Sequence, residues 1–158
     1  MSVTVSPGQS ASHVFNASEM AVRPGWIVPA NSRLIVVVEI LEQLRDAKIV
    51  VPSTDGFDAT KLENPWHRII MTQANWTRRR TDMNWFTLVG GIVERGGKLT
   101  TGVVRGPSFF PIGAGRDETD PVVVAQGGEF VCFLNDTPAR IFYRNNHGKV
   151  KLTLTVLG

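Results

Sequence analysis

Lys149-Val150-Lys151-Leu152-Thr153-Leu154-Thr155-Val156-Leu157 alternates apolar and polar residues over its whole length. Side chains of a β-strand point to opposite faces in turn. Val150, Leu152, Leu154 and Val156 therefore share one face, and Lys151, Thr153 and Thr155 share the other. One face in the core and one in solvent is the signature of an antiparallel sheet. Upstream, Arg33-Leu34-Ile35-Val36-Val37-Val38-Glu39-Ile40 is dense in β-branched residues and reads as a strand buried on both faces or nearly so. Further strands are predicted at His67 to Thr72, Asn84 to Val93, Leu99 to Val104, Val122 to Ala125 and Glu129 to Leu134. Gly96-Gly97, Gly106-Pro107, Gly113-Ala114-Gly115 and Gly127-Gly128 punctuate the second half at intervals suited to a sandwich. The segment from Leu41 to Ala47 has helical spacing between two strand-like runs, leaving a helical turn or one long hairpin open. Pro52-Ser53-Thr54-Asp55-Gly56 reads as a turn.

The chain is 158 residues with 42% hydrophobic content, which suits one domain spanning residues 1–158 with one sizeable core. Charged residues make up 20%, and Gly and Pro are frequent, so an all-β, two-sheet antiparallel β-sandwich is expected rather than a helical bundle. Cys132 is the only cysteine; set in Phe130-Val131-Cys132-Phe133-Leu134, it reads as a buried small hydrophobe, not a nucleophile. The first residues lack a basic and then apolar Sec-type signal, so a cytoplasmic location or export by another route is expected. No apolar stretch is long enough for a membrane span, and no membrane insertion is expected.

A net charge of +3 argues only weakly for a polyanion partner. The one basic cluster, Arg78-Arg79-Arg80 beside Trp76, has three readings: a phosphate and base platform, a solvated loop, or the rim of a self-association surface. Nucleic acid is not expected as a partner. Conventional enzyme signatures are missing: there is no Gly-x-Ser-x-Gly elbow, no phosphate-cradling loop and no Cys/His metal spacing. Asp117, Glu118 and Asp120 sit in a turn-rich stretch that reads as a solvated loop rather than an acid/base pair.

The segment carrying chemistry is Asn135-Asp136-Thr137-Pro138-Ala139-Arg140-Ile141-Phe142-Tyr143-Arg144-Asn145-Asn146-His147-Gly148, a polar loop between two strands. Asp136, Asn145 and Asn146 supply three side-chain oxygens close in sequence, a hard donor set suited to calcium. The same residue types also build ordinary hairpin turns.

The order of strand, Asn-Asp, short loop, aromatic, Asn-Asn, Gly and final alternating strand resembles the carboxyl-terminal portion of calcium-dependent galactose-binding lectins of the PA-IL type. It is also similar to related sugar-binding modules of bacterial glycosidases. Leu88-Val89-Gly90-Gly91-Ile92, Phe109-Phe110-Pro111-Ile112-Gly113 and Trp26 to Leu34 resemble further parts of that family. The resemblance implies a jelly-roll-like, galactose-binding-domain-like sandwich. It implies calcium held by Asp136, Asn145 and Asn146 and by the Phe142 carbonyl, with two hydroxyls of a galactose-like glycan completing the shell. Asp136 and Asn145 would then also touch the sugar, and Asp55 or His67 would stand in for the family's loop contacts. Binding at one such site is weak, so a homo-oligomer is expected. The leading expectation is a non-catalytic lectin-like domain. The alternative is a structural or assembly protein, such as a phage or secretion-particle component, whose four tryptophans and arginine cluster serve subunit contacts.

Overall fold

A computed structural model describes residues 1–97, 99 and 108–158 of the chain. It forms two packed sheets. One contains β1 (Val3–Thr4), β3 (Trp26–Val28), β10 (Gly128–Leu134), β6 (Leu88–Val93) and β7 (Phe109–Pro111), in that spatial order. The other is ordered β2 (Ser10–Asn16), β11 (Asn146–Val156), β4 (Ser32–Asp46), β5 (Ile49–Val51), with the short β8 (Gly115–Arg116) and β9 (Val122–Val124) also pairing with β4. All pairings between these strands are antiparallel except β1 with β3. This is the expected all-β two-sheet sandwich.

The final strand alternates as its sequence requires: Val150, Leu152, Leu154 and Val156 are fully buried. They meet Phe130, Cys132 and Leu134 of the opposite sheet in one core cluster. Each such side chain contributes about 1.5–3 kcal/mol of hydrophobic stabilisation. Cys132 is buried as expected, and burial pushes its thiol pKa up.

Strand β4 departs from the expected two-sided burial. Leu34 and Val36 are in the core, but Val37 and Ile40 are exposed. The outer face of this sheet is open to solvent, so the β-branched run is buried by alternate residues only. The open question at Leu41 to Ala47 resolves as a hairpin. β4 continues to Asp46, turns through Ala47-Lys48 and returns as β5, with Asp46 opposite Ile49. Ala47 occupies the left-handed region with φ 49° at the tip, where two-residue hairpins usually place glycine.

The strand expected over His67 to Thr72 is instead the helix α1 (Pro65–Gln73). Asn64 caps it, its side chain accepting from the N–H groups of Trp66 and His67 at 2.9 and 3.2 Å, and Pro65 occupies the first helical position. These start signals outweigh the β preference of Ile69 and Ile70. The strand expected from Asn84 begins only at Leu88, because Phe86 stands at φ 62° and interrupts extension. The expectation for Leu99 to Val104 lies outside the described residues apart from Leu99.

The arginine cluster is not a solvated loop. Arg79 is 1% exposed, its guanidinium lying 4.4 Å from the Phe133 ring and donating to the Met20 carbonyl. Arg78 donates to the carbonyls of Asn75 and Thr81, and Arg80 pairs with Asp82 at 2.6 Å. Arg79 thereby covers Phe133 on the outer face of β10, beside Met83 and Phe109, and Arg78 lies over the Trp85 ring. The acidic stretch at 117–120 is the solvated loop expected: Asp117 caps the backbone of Thr119, and Asp120 pairs with Arg116. No helix among the described residues is long and apolar enough to cross a membrane.

Candidate functional site

The polar loop between β10 and β11 folds back on itself through the short helix α2 (Arg140–Tyr143). Two buried anchors hold it. The Tyr143 hydroxyl donates to the Leu134 carbonyl at 2.6 Å. Asn135, fully buried, accepts from the Arg80 N–H and donates to the carbonyls of Arg80, Met83 and Asn84. The Asp136 carbonyl in turn accepts from the Arg79 N–H at 3.1 Å. Rigid elements thus flank Asp136 on both sides.

The Asp136 carboxylate is 3% exposed. Its Oδ1 accepts from the Thr137 N–H at 2.6 Å and its Oδ2 from Asn146 Nδ2 at 2.9 Å. That second bond fixes the Asn146 amide, since only its nitrogen can donate to a carboxylate. Asn146 Oδ1 must then point elsewhere, and it has no hydrogen-bond partner although it is fully buried. Asn145 Oδ1 is buried and unpartnered as well. A buried acceptor without a partner costs about 1–3 kcal/mol, so two neighbouring ones call for an explanation.

A fourth oxygen-bearing group comes from the β4–β5 hairpin. Asp46 lies directly opposite Asn146 across the β4–β11 ladder. The register reaches that point through a bulge between His147 and Val150, where Gly148 has φ 113° and a Cβ would come 2.7 Å from the Gln43 carbonyl. The Ala47 N–H donates to the Asn145 carbonyl at 3.0 Å and ties the hairpin tip to the loop. Burial, and then the charge of Asp136, push the Asp46 pKa up to about 7. The Asp136 carboxyl is also raised, chiefly by burial, against the lowering effect of its bonds from Asn146 and Thr137.

These groups border a cavity of about 360 Å³. Asp46, Asp136 and Asn145 lie on its rim together with Thr137 and Phe142. His67, Ile70 and Met71 of α1 line it, and so does Trp85, whose indole donates to Asn75 Oδ1 at 2.8 Å. The volume is that of a small-molecule site rather than of a bare ion. Among the described residues no three His, Cys, Asp or Glu side chains gather as a metal cluster. The donors here are instead two carboxylates and two amide oxygens, a set whose hardness suits calcium. The residues present fit such an ion in their chemistry, because two buried amide oxygens have no partner and Asp46 forms no ion pair, although Arg79 acts on Asp136 and Lys48 also lines the cavity.

Of the residues singled out in the sequence, Asp136, Phe142, Asn145 and His67 lie around this one cavity, and Asn146 adjoins it through Asp136. Asp55 does not line it; its Oδ1 accepts from the Ala114 N–H at 2.9 Å and organises a turn. Sequence reasoning overlooked Asp46, which is distant in the chain and indistinguishable there from a surface strand residue. It also gave no role to Asn135, although the Asn135-Asp136 pair was noted.

No family model matches the chain, and no curated protein matches it in sequence. Among solved structures it is similar to one described as "EclA N-terminal domain; PllA-like lectin", with a TM-score of 0.56 and 12% identity, over 92% of this chain and 94% of that one. The likeness is one of fold: this chain is an all-β sandwich of lectin-like architecture.

Proposed function

We propose that residues 1–158 form one non-catalytic carbohydrate-binding domain that holds a galactose-like glycan through calcium. The observation that carries this reading is the pair of buried, unpartnered oxygens of Asn145 and Asn146 beside Asp136. Asp136, Asn145, Asn146 and the Phe142 carbonyl would hold the ion. A bound calcium would supply two coordination positions for adjacent hydroxyls of a sugar. Asp136 and Asn145 would accept hydrogen bonds from those hydroxyls. His67 and Ile70, on the α1 wall, contact the remaining face of the ring, where C–H groups favour an apolar surface. The lectin-like fold supports the reading, as does the volume of the cavity.

A specific observation supports self-association. Trp66, Ile69, Ile70, Trp76, Ile141 and Phe142 are all exposed large hydrophobics on or near α1 and α2. Such residues are favoured at interfaces. A homo-oligomer would compensate the weak affinity of one sugar site. The same residues serve the alternative of an assembly protein that needs neither metal nor sugar. Thermal melts with millimolar calcium and with chelator separate the two. An ion bound only to the folded state raises the melting temperature, and an unchanged melt leaves the assembly reading. A glycan array with wild type and Asp136→Ala then tests the ligand; retention by the variant contradicts the proposed site.

A further inference from the structure

We propose that Asp46 is itself a ligand of the cation, supplying from the β4–β5 hairpin a second carboxylate opposite Asp136. This rests on the calcium reading above and deepens it. Asp46 is 8% exposed, and among the described residues its carboxylate forms no ion pair and accepts no side-chain hydrogen bond, its oxygens reaching solvent only where it lines the cavity. Lys48, two residues further on, is exposed and makes no salt bridge with it. A buried carboxylate in that condition is costly, and a like charge nearby makes it more so.

The fold nevertheless goes to some length to put it there. The bulge at Gly148 aligns Asp46 with Asn146, and the Ala47 N–H bond to the Asn145 carbonyl fixes the hairpin tip. Asp46 therefore shares one rim of the cavity with Asp136 and Asn145. Independent of the acidic pair, Asn146 Oδ1 is unpartnered in a residue only 2% exposed. Two carboxylates balance the charge of a divalent cation, and the amide oxygens add neutral donors, so a site of this composition prefers a divalent over a monovalent ion.

The test is calcium titration by calorimetry, with no sugar present, on wild type, Asp46→Asn and the distant surface variant Asp117→Asn. Circular dichroism and melting in chelator accompany it. We expect Asp46→Asn to weaken calcium binding about tenfold or more, while Asp117→Asn leaves it unchanged. In chelator at about pH 8, where Asp46 is ionised, Asp46→Asn should melt at or above the wild-type temperature, because removing one charge relieves the repulsion with Asp136. Loss of a nearby charge alone is screened by salt, so the weaker binding of Asp46→Asn should persist at about 0.5 M sodium chloride; a difference from wild type that vanishes there overturns the inference. Calcium affinity within twofold of wild type in Asp46→Asn overturns the inference and leaves the calcium site standing. Loss of the folded spectrum in chelator overturns it too, by making Asp46 a structural residue. If wild type itself binds no calcium at millimolar concentration, the calcium reading fails and takes this inference with it.

Discussion

Replacing Asn135 by alanine should unfasten the arginine segment from the strand that carries Asp136. The amide makes four hydrogen bonds: it accepts from the Arg80 N–H at 2.8 Å and donates to the carbonyls of Arg80, Met83 and Asn84 at 2.9, 3.3 and 2.9 Å. The two N–H groups share three acceptors, so three full bonds at a net value of about 1 kcal/mol each put the cost of truncation at about 3 kcal/mol. Unpaired backbone groups left in the interior add to this, whereas rehydration at the exposed Asn84 subtracts from it. Equilibrium unfolding in urea reads the effect directly. With a slope near 2 kcal/mol/M, the midpoint should fall by about 1.5 M at unchanged slope. Asn135→Asp should be at least as damaging, because a carboxylate would then face three carbonyl oxygens. Arg80→Ala removes a partly exposed ion pair with Asp82 and a long hydrogen bond to the Phe109 carbonyl, and should cost about 1 kcal/mol. A loss under about 1 kcal/mol in Asn135→Ala would refute the reasoning and leave the packing of Met83 and Phe109 on Phe133 as what holds the segment.

Asp46 makes the ion-free protein pH-sensitive. Its folded pKa of about 7 lies above the ordinary 3.8, so the folded state retains a proton that the unfolded state releases between those values. Stability in chelator should therefore be greatest at the acid end and fall as pH rises from about 4 to about 7, by on the order of 4 kcal/mol. Urea midpoints at pH 5 and pH 8 check this, and Asp46→Asn should flatten the difference. Gly56→Ala should lose roughly 3 kcal/mol, seen as a drop of about 10 °C in melting temperature. Gly56 has φ 77°, and an added Cβ would lie 2.0 Å from the Trp85 carbonyl oxygen. Ile70→Asn, at a position 58% exposed, should change stability by less than about 0.5 kcal/mol yet weaken calcium-dependent glycan retention. Equal retention on an affinity column would show that the α1 wall does not touch the sugar.

Local patterns were legible wherever one interaction dominates. The alternation of β11 needs only a core on one side, and each of its inward residues is buried. The turn at Asp55-Gly56 is likewise written into residue type. Misreading began where two signals competed. Ile69 and Ile70 favour a strand, but Asn64 and Pro65 start a helix, and an end signal acts more strongly than weak propensities inside a short segment. The arginine cluster misled for another reason: charge predicts solvent, and only the packed structure shows Phe133 needing a cover that Arg79 provides.

The same division holds at the site. Asp136, Asn145 and Asn146 stand close in the chain, so their grouping could be read from order alone, together with an all-β sandwich to carry them. The partnership of Asp46 with Asn146 could not. It depends on strand register, on one bulge at Gly148 and on the hairpin at Ala47, which together bring residues a hundred positions apart to one rung of a ladder. Side-chain periodicity is a local property of the backbone and survives in the sequence. Which oxygens end without a partner is a property of the whole packed interior, and only the tertiary structure decides it.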